Sequence, residues 1–206
     1  MGSLSSACDI FYLLSKKAKT SVYRSSKLPI EFWDEFDAMA NRLKVDPNEL
    51  ASVINSESGF NPASVNYVVD SKTNKYKLDK LGNKIPQAKG LNQLIKSTAK
   101  GLGMPDDVWN GFDKMTAIEQ LPWVEKYFKG AGVAGLSRKE IYLKNFGGFS
   151  KSNPNAALYV SKEYMAAHPE MTFPNPGYQG IAYNQNKGLD KANKGYISKE
   201  DLTSLV

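Results

Sequence analysis

The chain has 206 residues, 41% of them hydrophobic, enough for one packed domain with at most a small appendage. With 27 basic and 21 acidic residues its formal charge is +6, which suits an acidic polymer as partner; the lysines form no basic stripe, and no zinc-finger spacing or aromatic-basic RNA motif occurs, which argues against nucleic acid. Cys8 is the single cysteine and His168 the single histidine, so an internal disulfide and a cysteine-based zinc site are excluded, and His168, beside a proline in "AAHPEM", reads as structural. No run approaches the roughly 18 apolar residues needed to span a bilayer.

Residues 1–30 read as an N-terminal arm, with "IFYLL" as its apolar anchor and the polar tract "SKKAKTSVYRSSK" after it. "MGSLSS" fits a myristoylation template and "LSSAC" faintly suggests a lipoprotein cleavage site, but no basic n-region and apolar h-region precede Cys8, so neither is expected to act. From Pro29, the spacing of Phe32, Trp33, Phe36, Met39, Ala40 and Leu43 predicts an amphipathic core helix.

Asp46-Pro47-Asn48-Glu49 then signals a helix start, with Asp46 as cap, Pro47 at the first position and Glu49 completing a capping box. Leu50, Val53, Ile54 and Glu57 follow at i, i+3, i+4 and i+7, which puts a glutamate on the apolar stripe. Gly59 ends this helix and Asn61-Pro62 prevents its resumption. Two readings of Glu57 follow from this stretch: a helix-end glutamate pointing to solvent, or one facing inward at a helix C-terminus, where burial and the helix dipole both raise its pKa and suit it to act as a general acid.

Residues 66–87, rich in Asn, Gly and Lys with short Val and Tyr runs, predict a β-hairpin or irregular sheet region. Gly90-Leu91-Asn92-Gln93 follows. Gly90 removes a side chain where backbone should approach a sugar, and the Gln93 amide suits an N-acetyl group. Two further capping boxes, Thr116 with Glu119 and Ser137 with Glu140, each open a helix; the second carries Ile141, Tyr142, Asn145 and Phe146 and stops at Gly147-Gly148.

Taken together, Glu57-Ser58, the Gly90–Gln93 turn, "STAKGLG" and the helix bearing Tyr142 resemble the lytic transglycosylases of the goose-type lysozyme superfamily, over roughly residues 30–150. Within that stretch "QLPWVEKYF…EIYLKNF" is similar to phage virion-associated enzymes. The resemblance implies an α+β, mostly α-helical, lysozyme-like fold, with residues 31–174 as the catalytic domain and 175–206 as a C-terminal tail. It implies Glu57 as the catalytic residue and a substrate-binding set of Ser58, Phe60, Gly90, Leu91, Asn92, Gln93, Tyr142 and Asn145, with Tyr142 orienting the Glu57 carboxyl. Asn92 stands where the family has methionine, which removes an apolar contact with the sugar. The family's Ala-Tyr-Asn motif occurs literally at Ala182-Tyr183-Asn184, but helix context and spacing favour Tyr142.

In the tail, a twelve-residue calcium-loop pattern beginning at Asp190 places Gly195, Ile197 and Asp201 suitably, yet Ala192 and Lys194 occupy two ligand positions. The expectation is a degenerate EF-hand-like loop without metal, and no cofactor elsewhere.

The chemistry expected is cleavage of peptidoglycan glycan strands by one residue acting as acid and then base. Ordinary glycosidases need two carboxylates. Asp70 or Asp79 would have to supply the second in a hydrolase of the same fold, and a catalytically silent glycan-binding virion protein is the remaining alternative. A basic wall enzyme without an export signal fits a phage protein. It would be carried in the virion, in contact with other virion or tail proteins, to act on the host wall in the periplasm, or be held in the host cytoplasm until lysis.

Overall fold

Pro29 precedes the first helix, α1 (Ile30–Arg42), and the side chains spaced for a core face are the ones it buries: Phe32, Trp33, Phe36, Met39 and Ala40. The structure, a computed structural model, describes residues 23, 24, 28–70, 73, 75–147, 157–171 and 176–203. Cys8, the "IFYLL" anchor and both N-terminal targeting patterns lie outside the described residues, as do Gly148 and the side chain of Phe146. Where the arm is described it joins the core: Arg24 pairs with Asp37 and Asp34 of α1, and the Tyr23 ring lies 5.5 Å from that of Phe60.

The second helix, α2 (Pro47–Ser58), starts as the sequence predicts, with the Asp46 carboxylate accepting from Asn48 N–H at 2.7 Å and Gly59 closing it in the left-handed region at φ +60°. Glu49 differs from expectation. Its carboxylate accepts from the backbone N–H of Arg138, so it caps a later helix instead of completing a box with Asp46. The reason is tertiary packing, which brings the N-terminus of that helix against α2 and offers Glu49 an unsatisfied donor there.

A three-stranded antiparallel sheet follows: β1 (Val65–Tyr67), β2 (Pro86–Lys89) and β3 (Leu94–Ile95), in that order. Between β1 and β2 the chain continues as the predicted hairpin region, with bridges at Val69↔Tyr76 and Leu78↔Lys84. Two short helices, α3 (Lys96–Gly101) and α4 (Asp106–Gly111), enclose a small cluster of Leu94, Ala99, Met104, Trp109 and Phe112. Then come α5 (Ala117–Ala131), opened by the Thr116–Glu119 capping box, and α6 (Arg138–Gly147), at whose start Ser137 N–H and Oγ both donate to Glu140.

The C-terminal segment comprises β4 (Ala157–Val160), α7 (Lys162–Ala167), α8 (Pro176–Asn186), β5 (Tyr196–Ser198) and α9 (Lys199–Thr203). Strands β4 and β5 pair antiparallel, so a boundary at residue 175 cuts a sheet. Ala182, Tyr183, Ile197 and Leu202 moreover belong to the same buried cluster as Leu50, Ile54 and Phe128. The segment after residue 175 thus packs as part of the main lobe, because its own elements are too short to bury an apolar face alone. The architecture is α+β and mostly helical.

Candidate active site

The last turn of α2 sets Glu57. Leu50, Val53 and Ile54 beneath it are fully buried, and the shared stripe turns the glutamate toward the same side. Desolvation there pushes its carboxyl from an ordinary 4.5 up to about 7, against a smaller opposing effect from Asn145, whose Nδ2 donates to Oε1 at 2.6 Å and so favours the charged form.

Asn145 and Tyr142 lie three residues apart on one face of α6. That helix is fixed at its N-terminus by Glu49 of α2, and near its C-terminal end by Tyr127 of α5, whose hydroxyl donates to the Asn145 carbonyl at 3.1 Å. Burial, and secondarily the charge of Glu57, push the phenols of Tyr127 and Tyr142 up to about 12, so both remain neutral within reach of its field. Tyr183, the alternative tyrosine, is buried elsewhere and donates to Asp190 at 2.8 Å.

The Gly90–Gln93 turn is tied to the end of α2 by Ser58, whose hydroxyl donates to the Leu91 carbonyl at 2.7 Å. Gly90 is at φ +78°, and a Cβ there would meet Gln120 Oε1 and Phe112 Cε1 at 2.5 Å each. The glycine is thus demanded by packing beneath the turn, a different reason from the close sugar approach expected. Gln120, fully buried, holds the turn from below: its Oε1 accepts from Leu91 N–H at 2.9 Å, and its Nε2 donates at 2.8 Å to the carbonyls of Pro62 and Phe112. Gln93, at φ +49°, donates through Nε2 to the Gly90 carbonyl and accepts through Oε1 from Asn66 Nδ2, both at 2.9 Å. Asn92 is 3% exposed, and neither polar atom of its amide has a hydrogen-bond partner among the described residues.

Of the residues expected to meet substrate, the structure gathers Glu57, Tyr142 and Asn145 around one carboxyl, and Ser58 couples them to the turn. The side chains of Phe60 and Leu91 are core. Phe60 is 4% exposed and its ring packs on those of Phe32, Trp33 and Phe36. Asp79 is engaged by its own loop, accepting from the N–H groups of Leu81 and Asn83, and Asp70 accepts from Thr73 in the same way. No second carboxylate contributes to the raised pKa of Glu57 among the described residues.

Sequence reading missed Tyr127 and Gln120 as parts of this site. Gln120 carried the same signal that marked Glu57, a polar residue on an apolar stripe, here with Ala117, Leu121, Val124 and Phe128. Tyr127 offered no such contrast, since a tyrosine on a helix reads as ordinary core.

Residues 34–120 match the family model described as the Transglycosylase SLT domain. No curated protein and no solved structure matches the chain. The matched segment contains Glu57, the turn and Gln120, and ends before α6, which brings Tyr142 and Asn145 to the carboxyl. Members of the matched family are lytic transglycosylases acting on peptidoglycan. The likeness to that domain thus covers residues 34–120 of the 206, on a mostly helical α+β lobe in which desolvation raises the Glu57 carboxyl.

Proposed function

We propose that the protein is a lytic transglycosylase that breaks the MurNAc-GlcNAc β-1,4 bond and leaves a 1,6-anhydro-MurNAc end. Glu57, protonated, donates to the glycosidic oxygen as the bond from the MurNAc C1 breaks. The resulting carboxylate then takes the proton of the C6 hydroxyl, whose oxygen closes on C1. The glutamate is thereby reprotonated, and no water enters. Tyr142, Tyr127 and Asn145 position the carboxyl, and the Gly90–Gln93 turn reads the sugar. The observation that carries this reading is the setting of Glu57 at the end of α2, with the Asn145 amide as the one donor to its carboxyl among the described residues and with desolvation raising it toward neutrality.

The protein is, on this proposal, phage-encoded. It is carried in the virion, as a tail or internal protein among other virion proteins, and acts on the host wall in the periplasm; release from the host cytoplasm at lysis is the alternative route. What supports it is the similarity of "QLPWVEKYF…EIYLKNF" to phage virion-associated enzymes, together with the basic charge.

Mass spectrometry of purified peptidoglycan digested by the protein tests the reaction. Anhydro-muropeptides are expected. Reducing MurNAc ends would instead indicate the hydrolase, and an undigested substrate that still retains the protein would indicate a silent glycan-binding protein.

A further inference from the structure

The hairpin between β1 and β2 carries features that the chemistry at Glu57 does not use. Leu81 at its turn is 86% exposed, Leu78 57% and Tyr76 50%. Leu78 bridges to Lys84 across the hairpin, which puts the two on one face, and Tyr76, two residues from Leu78 on the same strand, shares that face. The Lys84 ammonium lies 4.0 Å from the centroid of the Tyr76 ring, in agreement with this placement.

The charge around these apolar side chains is mainly basic. Lys75, Lys80 and Lys84 lie on the hairpin, Lys77 there pairs with Asp70 at 3.9 Å, and the one acid at the tip is Asp79. That acid is committed to the turn: its Oδ1 accepts from Leu81 N–H at 2.9 Å and Asn83 N–H at 2.8 Å, and Gly82, at φ +83°, completes the turn. These bonds hold Lys80-Leu81 at the tip and its carboxyl well into the ionised range.

We propose that this hairpin is a docking surface for an anionic lipid bilayer. Leu81 and Leu78 enter the headgroup–acyl boundary, Tyr76 sits at the interface, and Lys80 and Lys84 meet the phosphates. The apolar tip decides between partners: a soluble anionic polymer rewards the lysines and gives the leucines no place to go, whereas a bilayer rewards both. The inference goes beyond the reaction proposed above and does not depend on Glu57.

Co-sedimentation of the full chain with phosphatidylglycerol/phosphatidylcholine vesicles, with phosphatidylcholine vesicles alone, and retention on immobilised polyphosphate separate the possibilities. Partition onto the anionic vesicles is expected, with little onto the neutral ones. Leu81→Ser is expected to lower that partition roughly tenfold while leaving polyphosphate retention unchanged, since apolar burial is what it removes. Lys80→Gln is expected to lower both by about fivefold, the effect of one cation at an anionic surface. In a second variant, Leu81→Trp, the emission of the new indole should shift to shorter wavelength when anionic vesicles are added. Parent and Leu81→Ser partitioning equally, an unshifted indole at 81, or retention on polyphosphate without binding to vesicles would each overturn the proposal.

Discussion

Glu57, at the end of α2, has one hydrogen-bond donor among the described residues, the Asn145 amide, and its carboxyl is pushed up to about 7. Asp190, in the C-terminal segment, is buried more completely by exposed area but accepts from Tyr183 Oη, Lys194 N–H and Gly195 N–H, with the Lys194 ammonium nearby, and is held below the usual carboxylate range. Desolvation raises both. At Glu57 desolvation outweighs the single donor, and at Asp190 three donors and a nearby ammonium outweigh it.

The largest effect should come from changing Glu57, the acid of the proposed reaction. Glu57→Gln keeps shape and loses the proton, and wall lysis should fall by about 10²–10⁴-fold, the usual scale of general acid–base catalysis. Residual activity within about tenfold of the parent would take Glu57 out of the acid role.

The two carboxylates should also have opposite effects on stability. A carboxyl whose folded pKa is raised from 4.5 to about 7 binds more protons folded than unfolded in that window, so stability drops as pH rises through it and remains lower above it. The cost above pH 7 is roughly 3 kcal/mol, and Glu57→Gln should melt higher than the parent at pH 8 by an amount that vanishes near pH 4. For Asp190 the sign is reversed: its pKa is depressed, so its contribution is present above the ordinary aspartate range and is lost as pH falls through the folded value. Asp190→Ala should therefore destabilise at pH 7, by about 2–3 kcal/mol, through the donors it strands. Denaturation of both variants across pH 4–8 would show crossing curves; parallel curves would remove the contrast.

A smaller change sharpens it. Asn145 Nδ2 favours the charged form of Glu57, so Asn145→Ala should raise the carboxyl further and move the alkaline limb of the pH–activity profile to higher pH, while also lowering turnover through lost orientation. An alkaline limb that moves to lower pH would mean that Asn145 does not act through this bond.

How far these features could be read beforehand follows from their range along the chain. Local signals were legible: the caps at Asp46 and Thr116, the core stripe of α1 and the stop at Gly59 all depend on neighbours within a turn or two, whereas the local stretch left Glu57 between solvent and core. Features created by distant segments meeting were not. Glu49 looked like a box partner three residues from Asp46, but its acceptor serves Arg138, 89 residues away. Gly90 was legible as a special glycine, but its reason, the buried Gln120 and Phe112 beneath it, lies in two other elements. The same limit made residues after 175 look like a tail, since the partner of β5 lies before that boundary and its core neighbours lie on earlier helices.

The smallest expected effect concerns calcium at the loop beginning at Asp190. Lys194 Nζ lies 2.6 Å from Asp201 Oδ2, and Asp201 also accepts from Ser198 N–H and Oγ at 2.7 Å, so the two acids that would flank an ion already have protein donors. An ammonium inside the loop repels a divalent cation, and Ala192 supplies no ligand oxygen. If calcium bound with a dissociation constant near 10 μM, a concentration a hundredfold higher would stabilise the fold by about 2.7 kcal/mol, several degrees in Tm for a domain of this size. The expectation is instead no shift with calcium or with chelator, and a loss of about 1 kcal/mol on Lys194→Met, because the built-in cation takes the role that an ion would have. A Tm that rises with micromolar calcium and loses that rise on Asp190→Ala would show a metal competing successfully with Lys194.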